Sequence, residues 1–280
     1  MTPIINAGEL LKLYKSENIQ IFDVTNGKEA KSNYDAKHLD GAVFVDLNTQ
    51  LADIKDDAAN GGRHPLPSIE NFSETLGYFG ITPESHIVLY DDKNGSNAAA
   101  RFWWMLKAVG HDKVQVLNGG IQEAEKIGFP INSDVVTITK SIPYPVINWQ
   151  LPIAGINEVE SVSKDTNHLV IDVREAARYK GETEPIDLIA GHIPGAVNAP
   201  FAANLDENGL FLPPEKKKKK YSKLFQNRNP ENIIMHCGSG VTACHSLLAV
   251  AYSGLEIPKL YVGSWSEWSR NNKPFETSLF

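Results

Sequence analysis

The chain has 280 residues, 42% of them hydrophobic and 22% charged, with a net charge of −7. That balance supports a substantial core, and its acidic sign argues against a nucleic-acid partner. No uninterrupted apolar run approaches the ~18 residues of a membrane span, and the start MTPIINAGELLKLYKSEN lacks the pattern of an export signal. Two cysteines do not make a disulfide framework, so a reducing cytoplasmic compartment is expected.

In chain order, IFDV at 21–24 and IVLYDD at 87–92 hold short bounded apolar runs of the kind that form buried parallel strands. RFWWMLKAVG at 101–110 has apolar residues at helical spacing. VIDV at 170–173 and IIM at 233–235 are again short strand-like runs, and Thr242 to Tyr252 reads as a helix stopped by Gly254. Strands alternating with helices predict an α/β fold with mainly parallel sheets flanked by helices. The five-lysine run Lys216–Lys220 reads as a solvated loop.

Four segments occur twice. IFDV recurs as VIDV, HLDGAVFVDL (38–47) as HIPGAVNAPF (192–201), IVLYDD as IIMHCG (233–238), and VLNGGIQEAEKIGFP (116–130) as LYVGSWSEWSRNNKPF (260–275). The second copies follow the first by 149, 154, 146 and 144 residues, a near-constant offset. Two copies of one domain are therefore predicted, 1–140 and 154–280, joined by a proline-rich linker at 141–153. Cys237 opens a glycine-rich turn in the second copy, and the matching residue of the first is Asp91. A carboxylate is no thiol nucleophile, so the first copy is read as inactive.

The loop Cys237-Gly238-Ser239-Gly240-Val241-Thr242 suits thiolate chemistry. Its glycines let successive backbone N–H groups converge, and the following helix adds its positive end. Such donors stabilise a negatively charged sulfur, including the outer sulfur of a persulfide. Tyrosine-type phosphatase chemistry needs an arginine closing the loop, and Ala243 follows Thr242 here. Cys237 and Cys244, with His236 and His245, do not have zinc-ligand spacing, and Cys-x-x-Cys is absent, so no metal is expected. Cys244 reads as a small buried filler, His236 as a strand-end residue and His245 as solvent-facing.

CGSGVTA, GHIPGAVNAPF and GSWSEW, with HLDGAVFVDL, GGRHPLP and AARFWW in the first copy, together resemble the tandem-domain sulfurtransferases, the rhodanese and 3-mercaptopyruvate sulfurtransferase group. The resemblance implies two tandem rhodanese-like domains. It also implies an enzyme that takes sulfur from a small anionic donor as a Cys237 persulfide and passes it to an acceptor, with no cofactor. Acceptors of that kind are thiols such as thioredoxin or small thiols, or cyanide.

Arg178, in DVREAARYKGETEP (172–185), matches the arginine that binds the donor's anionic group, while Arg174 reads as a buried ion pair. Gly238, Gly240, Val241 and Thr242 line the donor site in this reading. Ser239 is placed to assist an enolate leaving group, and His64 of GGRHPLP aligns with a histidine proposed to join that serine. Uncharged Gly238 and Ser239 favour the monoanion 3-mercaptopyruvate over thiosulfate. Two positions depart from the family pattern: Ile186, rather than a second arginine, follows Glu184-Pro185, and the acid associated with the histidine falls near Asn48, with Asp46 close by. Trp265 and Trp268 are expected to pack rather than touch substrate. A thiosulfate:cyanide enzyme, a non-catalytic binding module and a redox sensor are the alternatives.

Overall fold

In the computed structural model, which describes residues 1–16 and 18–278, the apolar runs become short parallel strands. The first half carries β1 (Ile4–Ile5), β2 (Ile19–Asp23), β3 (His38–Leu39), β4 (Val43–Phe44), β5 (His86–Tyr90), β6 (Val114–Leu117) and β7 (Ile131–Asn132). The second carries β8 (Ile153–Ala154), β9 (Leu169–Asp172), β10 (Val197–Asn198), β11 (Ile233–His236) and β12 (Lys259–Tyr261). Among the described residues, one five-stranded sheet has the order β1-β6-β5-β2-β4 and the other β8-β12-β11-β9-β10, with every neighbour parallel. These are one topology used twice. Parallel neighbours need crossovers, which the intervening helices supply.

The central strands, β5 and β11, are buried along nearly their whole length. Asp91 and Cys237 therefore stand at equivalent places, one residue beyond the end of a central strand. Ligand chemistry concentrates at such carboxyl ends in α/β sheets. The repeated His-x-x-Gly-Ala motif has a structural use in both copies. His38 Nδ1 lies 2.7 Å from the Tyr34 carbonyl and its ring stacks on Tyr34 at 4.1 Å. His192 does the same with Tyr179, at 2.7 and 3.8 Å. Each tyrosine hydroxyl then donates to the alanine carbonyl of its motif, Ala42 or Ala196. This fixes the turn that leads into β4 or β10.

Two compact units form. The first comprises 1–52, 67–150 and 206–211, the second 53–66, 151–205 and 212–280. Residues 53–66, which the sequence reading assigns to the first copy, thus group with the second unit, because their backbone is held there by groups of residues 266–271. Leu10, Ile21, Val88 and Leu117 lie in the core of the first unit; Val159, Val170, Ile234, Trp265 and Trp268 lie in that of the second.

Two expectations are corrected by this packing. Lys216–Lys220 lie not in a loop but in the helix Pro214–Phe225, whose Lys217, Tyr221 and Phe225 are buried at four-residue spacing. Lys217 Nζ donates to the Asn204 carbonyl at 2.6 Å, so its charged end is satisfied inside the unit. His245 does not face solvent. Residues 243–250 of the helix Thr242–Tyr252 are all buried, and the His245 ring packs edge-on against Phe201. No helix among the described residues is long and apolar enough to cross a membrane.

Candidate active site

After His236 the chain leaves β11, turns through residues 237–241 and enters the helix Thr242–Tyr252. Gly240 has φ +72°, and a Cβ there would lie 2.5 Å from the Val262 carbonyl oxygen, so only glycine fits. Val241 at the N-cap contributes no side-chain bond to the helix. The first-turn N–H groups lack intrahelical partners, and the positive helix end faces the loop. Cys237 is 1% exposed and Ser239 7%. Cys244 is buried as expected, its thiol donating to the Gly240 carbonyl at 3.2 Å.

The short helix Ser264–Trp268 holds this loop by its backbone. Cys237 N–H donates to Ser264 Oγ at 3.2 Å. Trp265 N–H donates to the Cys237 carbonyl at 3.0 Å, and Ser266 N–H to that of Gly238 at 2.9 Å. The same region holds residues 53–66. Arg63 N–H donates to Ser266 Oγ at 3.0 Å and Gly61 N–H to Glu267 Oε1 at 3.1 Å, while Asn271 Nδ2 donates to the Ala59 carbonyl at 2.8 Å. One segment thus sets the distance between the cysteine loop and the Arg63-His64 pair. Its result is a contact of 2.8 Å between His64 Nδ1 and Ser239 Oγ. The tryptophans of GSWSEW pack as expected, each indole N–H donating to a carbonyl, Ile189 for Trp265 and Pro274 for Trp268. The serines and Glu267 carry the positioning.

Four arginines and three carboxylates form a network beside the loop. Arg174 is 2% exposed, is hydrogen-bonded to Asp172 and Glu184, and lies over the Trp265 ring, so it is a buried ion pair. Arg178 grips Glu184 with Nε and Nη2 (3.1 and 2.6 Å) and reaches Asp187 at 3.1 Å. Arg270 Nη1 donates to the other Asp187 oxygen at 3.3 Å, and Arg63 Nε lies 3.2 Å from that same oxygen. Burial works against the charge on Arg178, but Glu184, Asp187 and the nearby Cys237 sulfur outweigh it and raise its pKa. Burial, with Glu184, keeps the Asp187 carboxyl above its ordinary value although three guanidiniums oppose this. His236 is wholly buried, its pKa lowered by burial against the pull of Asp172.

In the first unit the equivalent loop is occupied by its own carboxylate. Asp91 Oδ1 accepts from the N–H groups of Lys93 and Gly95 at 2.9 and 2.8 Å, and Oδ2 from those of Asn97 and Ala99 at 3.0 and 3.2 Å. Desolvation nevertheless pushes its pKa up to about 6. Asp46 caps the helix Leu47–Gln50, accepting from Asn48 and Thr49.

The rhodanese-like domain family matches residues 6–126 and again 156–271. The chain is a tandem rhodanese-domain sulfurtransferase. It is 38% identical over 237 residues to a probable 3-mercaptopyruvate sulfurtransferase of Pseudomonas aeruginosa, covering 84% of this chain and 82% of the relative. It is 34% identical over 254 residues to the thiosulfate sulfurtransferase of Rattus norvegicus, covering 88% and 82%. The solved 3-mercaptopyruvate sulfurtransferase of Leishmania major superposes with a TM-score of 0.82 at 27% identity, over 95% of this chain and 74% of that one.

Of the residues singled out in this sulfurtransferase from sequence, Cys237, Gly238, Ser239, Gly240, Val241 and Thr242 form one loop-to-helix junction, with His64 on Ser239. Arg178 lies beside them: a Cβ on Gly238 would be 3.5 Å from its Nη2. That same Cβ would be 3.0 Å from Arg63 Nη2. Arg63, Arg270 and Asp187 were not legible as neighbours of the cysteine. The available signal was the adjacency of Arg63 to His64 in GGRHPLP.

Proposed function

We propose that this sulfurtransferase uses 3-mercaptopyruvate as donor and Cys237 as sulfur carrier. The Cys237 thiolate attacks the donor's thiol sulfur, and the carbon–sulfur bond breaks. Its electron pair passes to the pyruvate enolate, which takes the donor's thiol proton at carbon; pyruvate leaves and Cys237 holds a persulfide. In the second step an acceptor thiolate, or cyanide, attacks the outer sulfur, the sulfur–sulfur bond breaks and the Cys237 thiolate returns. Backbone N–H groups of the loop and the helix end stabilise both anionic sulfurs. Arg178 binds the donor carboxylate, and Ser239 with His64 hydrogen-bonds the developing enolate and relays its proton.

The observation that carries this reading is the His64–Ser239 contact of 2.8 Å on the cysteine loop. An enolate leaving group needs a proton, and a sulfite leaving group does not. Similarity to the Pseudomonas aeruginosa protein supports the same donor. Thiosulfate is the second reading, favoured by the surplus of guanidinium over carboxylate beside the loop.

Intact mass decides the carrier and product analysis the donor. The chain should gain one sulfur, about 32 Da, on mixing with donor and lose it on adding cyanide or thiol. Pyruvate release should outpace sulfite release from thiosulfate. Faster sulfite release transfers the assignment to thiosulfate, and no mass gain with either donor ends it.

A further inference from the structure

A donor anion binds best to a cation that still has hydrogen bonds to give. Among the four guanidiniums of the network, three are engaged. Arg174 donates to Asp172, Glu184 and the Gly191 carbonyl. Arg178 grips Glu184 twice and also reaches Asp187, while Arg270 donates to Asp187 and to the Ser266 carbonyl. Arg63 differs. Its Nε approaches Asp187 without the alignment of a hydrogen bond, and its side chain is 26% exposed. Its backbone is fixed by Ser266 Oγ, and its Nη2 lies 3.0 Å from where a Gly238 side chain would begin. Glycine at 238 thus lets the Arg63 guanidinium lie directly against the loop, where Arg178 Nη2 and Asp187 Oδ2 are each 3.5 Å from the same point. With four guanidiniums against three carboxylates, the network keeps one net positive charge beside the cysteine loop.

We infer that Arg63 is a donor-binding residue, its Nη groups taking the donor's anionic end over Gly238, with Asp187 steering the guanidinium into place. This rests on the sulfurtransfer reading of Cys237 and assigns a charge contact that Arg178, held by Glu184, supplies only in part. Binding of the anion ties up the spare donors of Arg63 without breaking the Arg178–Glu184 pair.

The test is Arg63→Gln and Arg63→Lys in the full chain, read in two independent ways. For persulfide formation from 3-mercaptopyruvate, Arg63→Gln should raise KM roughly 10- to 100-fold with kcat little changed, as for a lost charge-assisted bond. Arg63→Lys should recover part of that loss. The second reading needs no sulfur transfer: alkylation of Cys237 by anionic iodoacetate against neutral iodoacetamide. Arg63→Gln should slow iodoacetate by about tenfold or more relative to iodoacetamide. An unchanged KM, or equal slowing with both reagents, overturns the assignment and leaves Arg63 a purely structural residue. Absence of the persulfide in the parent protein would sink the sulfurtransfer reading, while the alkylation ratio would still judge Arg63.

Discussion

The loop after β5 and the loop after β11 begin at the same place in the same topology and handle negative charge in opposite ways. In the first, Asp91 fills the ring of N–H groups with its own carboxylate, four donors on two oxygens. In the second, the residue at that place is Cys237, and the helix behind it has no side-chain cap. Asp91 thus demonstrates that this turn gathers backbone donors around an anion. A thiol at that place can form and release a bond to sulfur, which a carboxylate cannot. The strand beside each loop repeats the contrast. Asp23 on β2 is raised above its ordinary pKa by burial. On β9 burial works on Asp172 too, but His236 and Arg174 outweigh it and its pKa is lowered. Where the second unit places arginines, the first has a cavity of about 360 Å³ lined by Asp23, Thr25, Asn33 and Asp92, among others.

The largest expected effect breaks the comparison outright. Cys237→Ser should cost ~10⁴-fold or more in sulfur transfer, because an alkoxide is not available near neutral pH and cannot carry sulfane sulfur. The fold should persist, since the two side chains are close in size. Asp91→Cys should gain no activity, because the first loop has acidic Asp92 next in line and Asn33 in its cavity rather than arginines. Sulfane sulfur at position 91 of that variant, detected by peptide mass, would show that the loop alone suffices.

Next comes the buried network that separates the two units' chemistry. Arg174→Met should cost about 3–5 kcal/mol of unfolding free energy, because Asp172 and Glu184 would remain buried without their partner. Chemical denaturation checks this, and a loss under about 1 kcal/mol would mean that water or Arg178 replaces Arg174. Replacing Asp172 and Arg174 together by apolar residues should recover much of the loss, since well-packed apolar groups often match a buried pair.

A smaller effect follows from Asp91. Its folded pKa of about 6 stands above the ordinary 3.8, so between those values the folded state keeps a proton that the unfolded state releases. Stability from this group is therefore full below about 4 and falls as pH rises to about 6, by roughly 3 kcal/mol in all. In Asp91→Asn that slope vanishes. The comparison is best made as the difference between the two proteins' denaturation free energies across pH 4.5–7. Contributions of Asp23 and of His236, which is depressed and acts in the opposite sense, then cancel. A difference independent of pH would show that Asp91 is ionised throughout and that its four N–H donors outweigh burial.

Much of this contrast was legible in the chain. The near-constant offset of four segments gave the duplicated sheet, and the glycines around Ser239 marked the turn between β11 and the helix Thr242–Tyr252. Periodicity could not reveal that residues 53–66 fold with the second unit, because the link is made by isolated polar groups, Ser266, Glu267 and Asn271, with no pattern in sequence. Arg63 was missed for that reason. Lys216–Lys220 misled because a charge run resembles a loop. Only burial of Lys217 and Tyr221 on one face shows that the helix has an inside.

The smallest expected effect concerns the pair that the comparison makes specific to the second unit. At the place of Ser239 the first loop has Lys93, whose ammonium lies 3.5 Å from Asp92 rather than on a histidine. If Ser239 and His64 serve the leaving enolate, Ser239→Ala should lower kcat for 3-mercaptopyruvate by roughly 10- to 100-fold, with little change in KM. The thiosulfate reaction should hardly change, because sulfite leaves without needing a proton. His64→Ala should give the same pattern, and the double variant should be no worse than either single one, as expected of groups acting through one hydrogen bond. Parallel losses with both donors would instead assign the pair to holding the loop. In that case Arg63, the residue just before His64 in the chain, would lose its position as well and KM would rise.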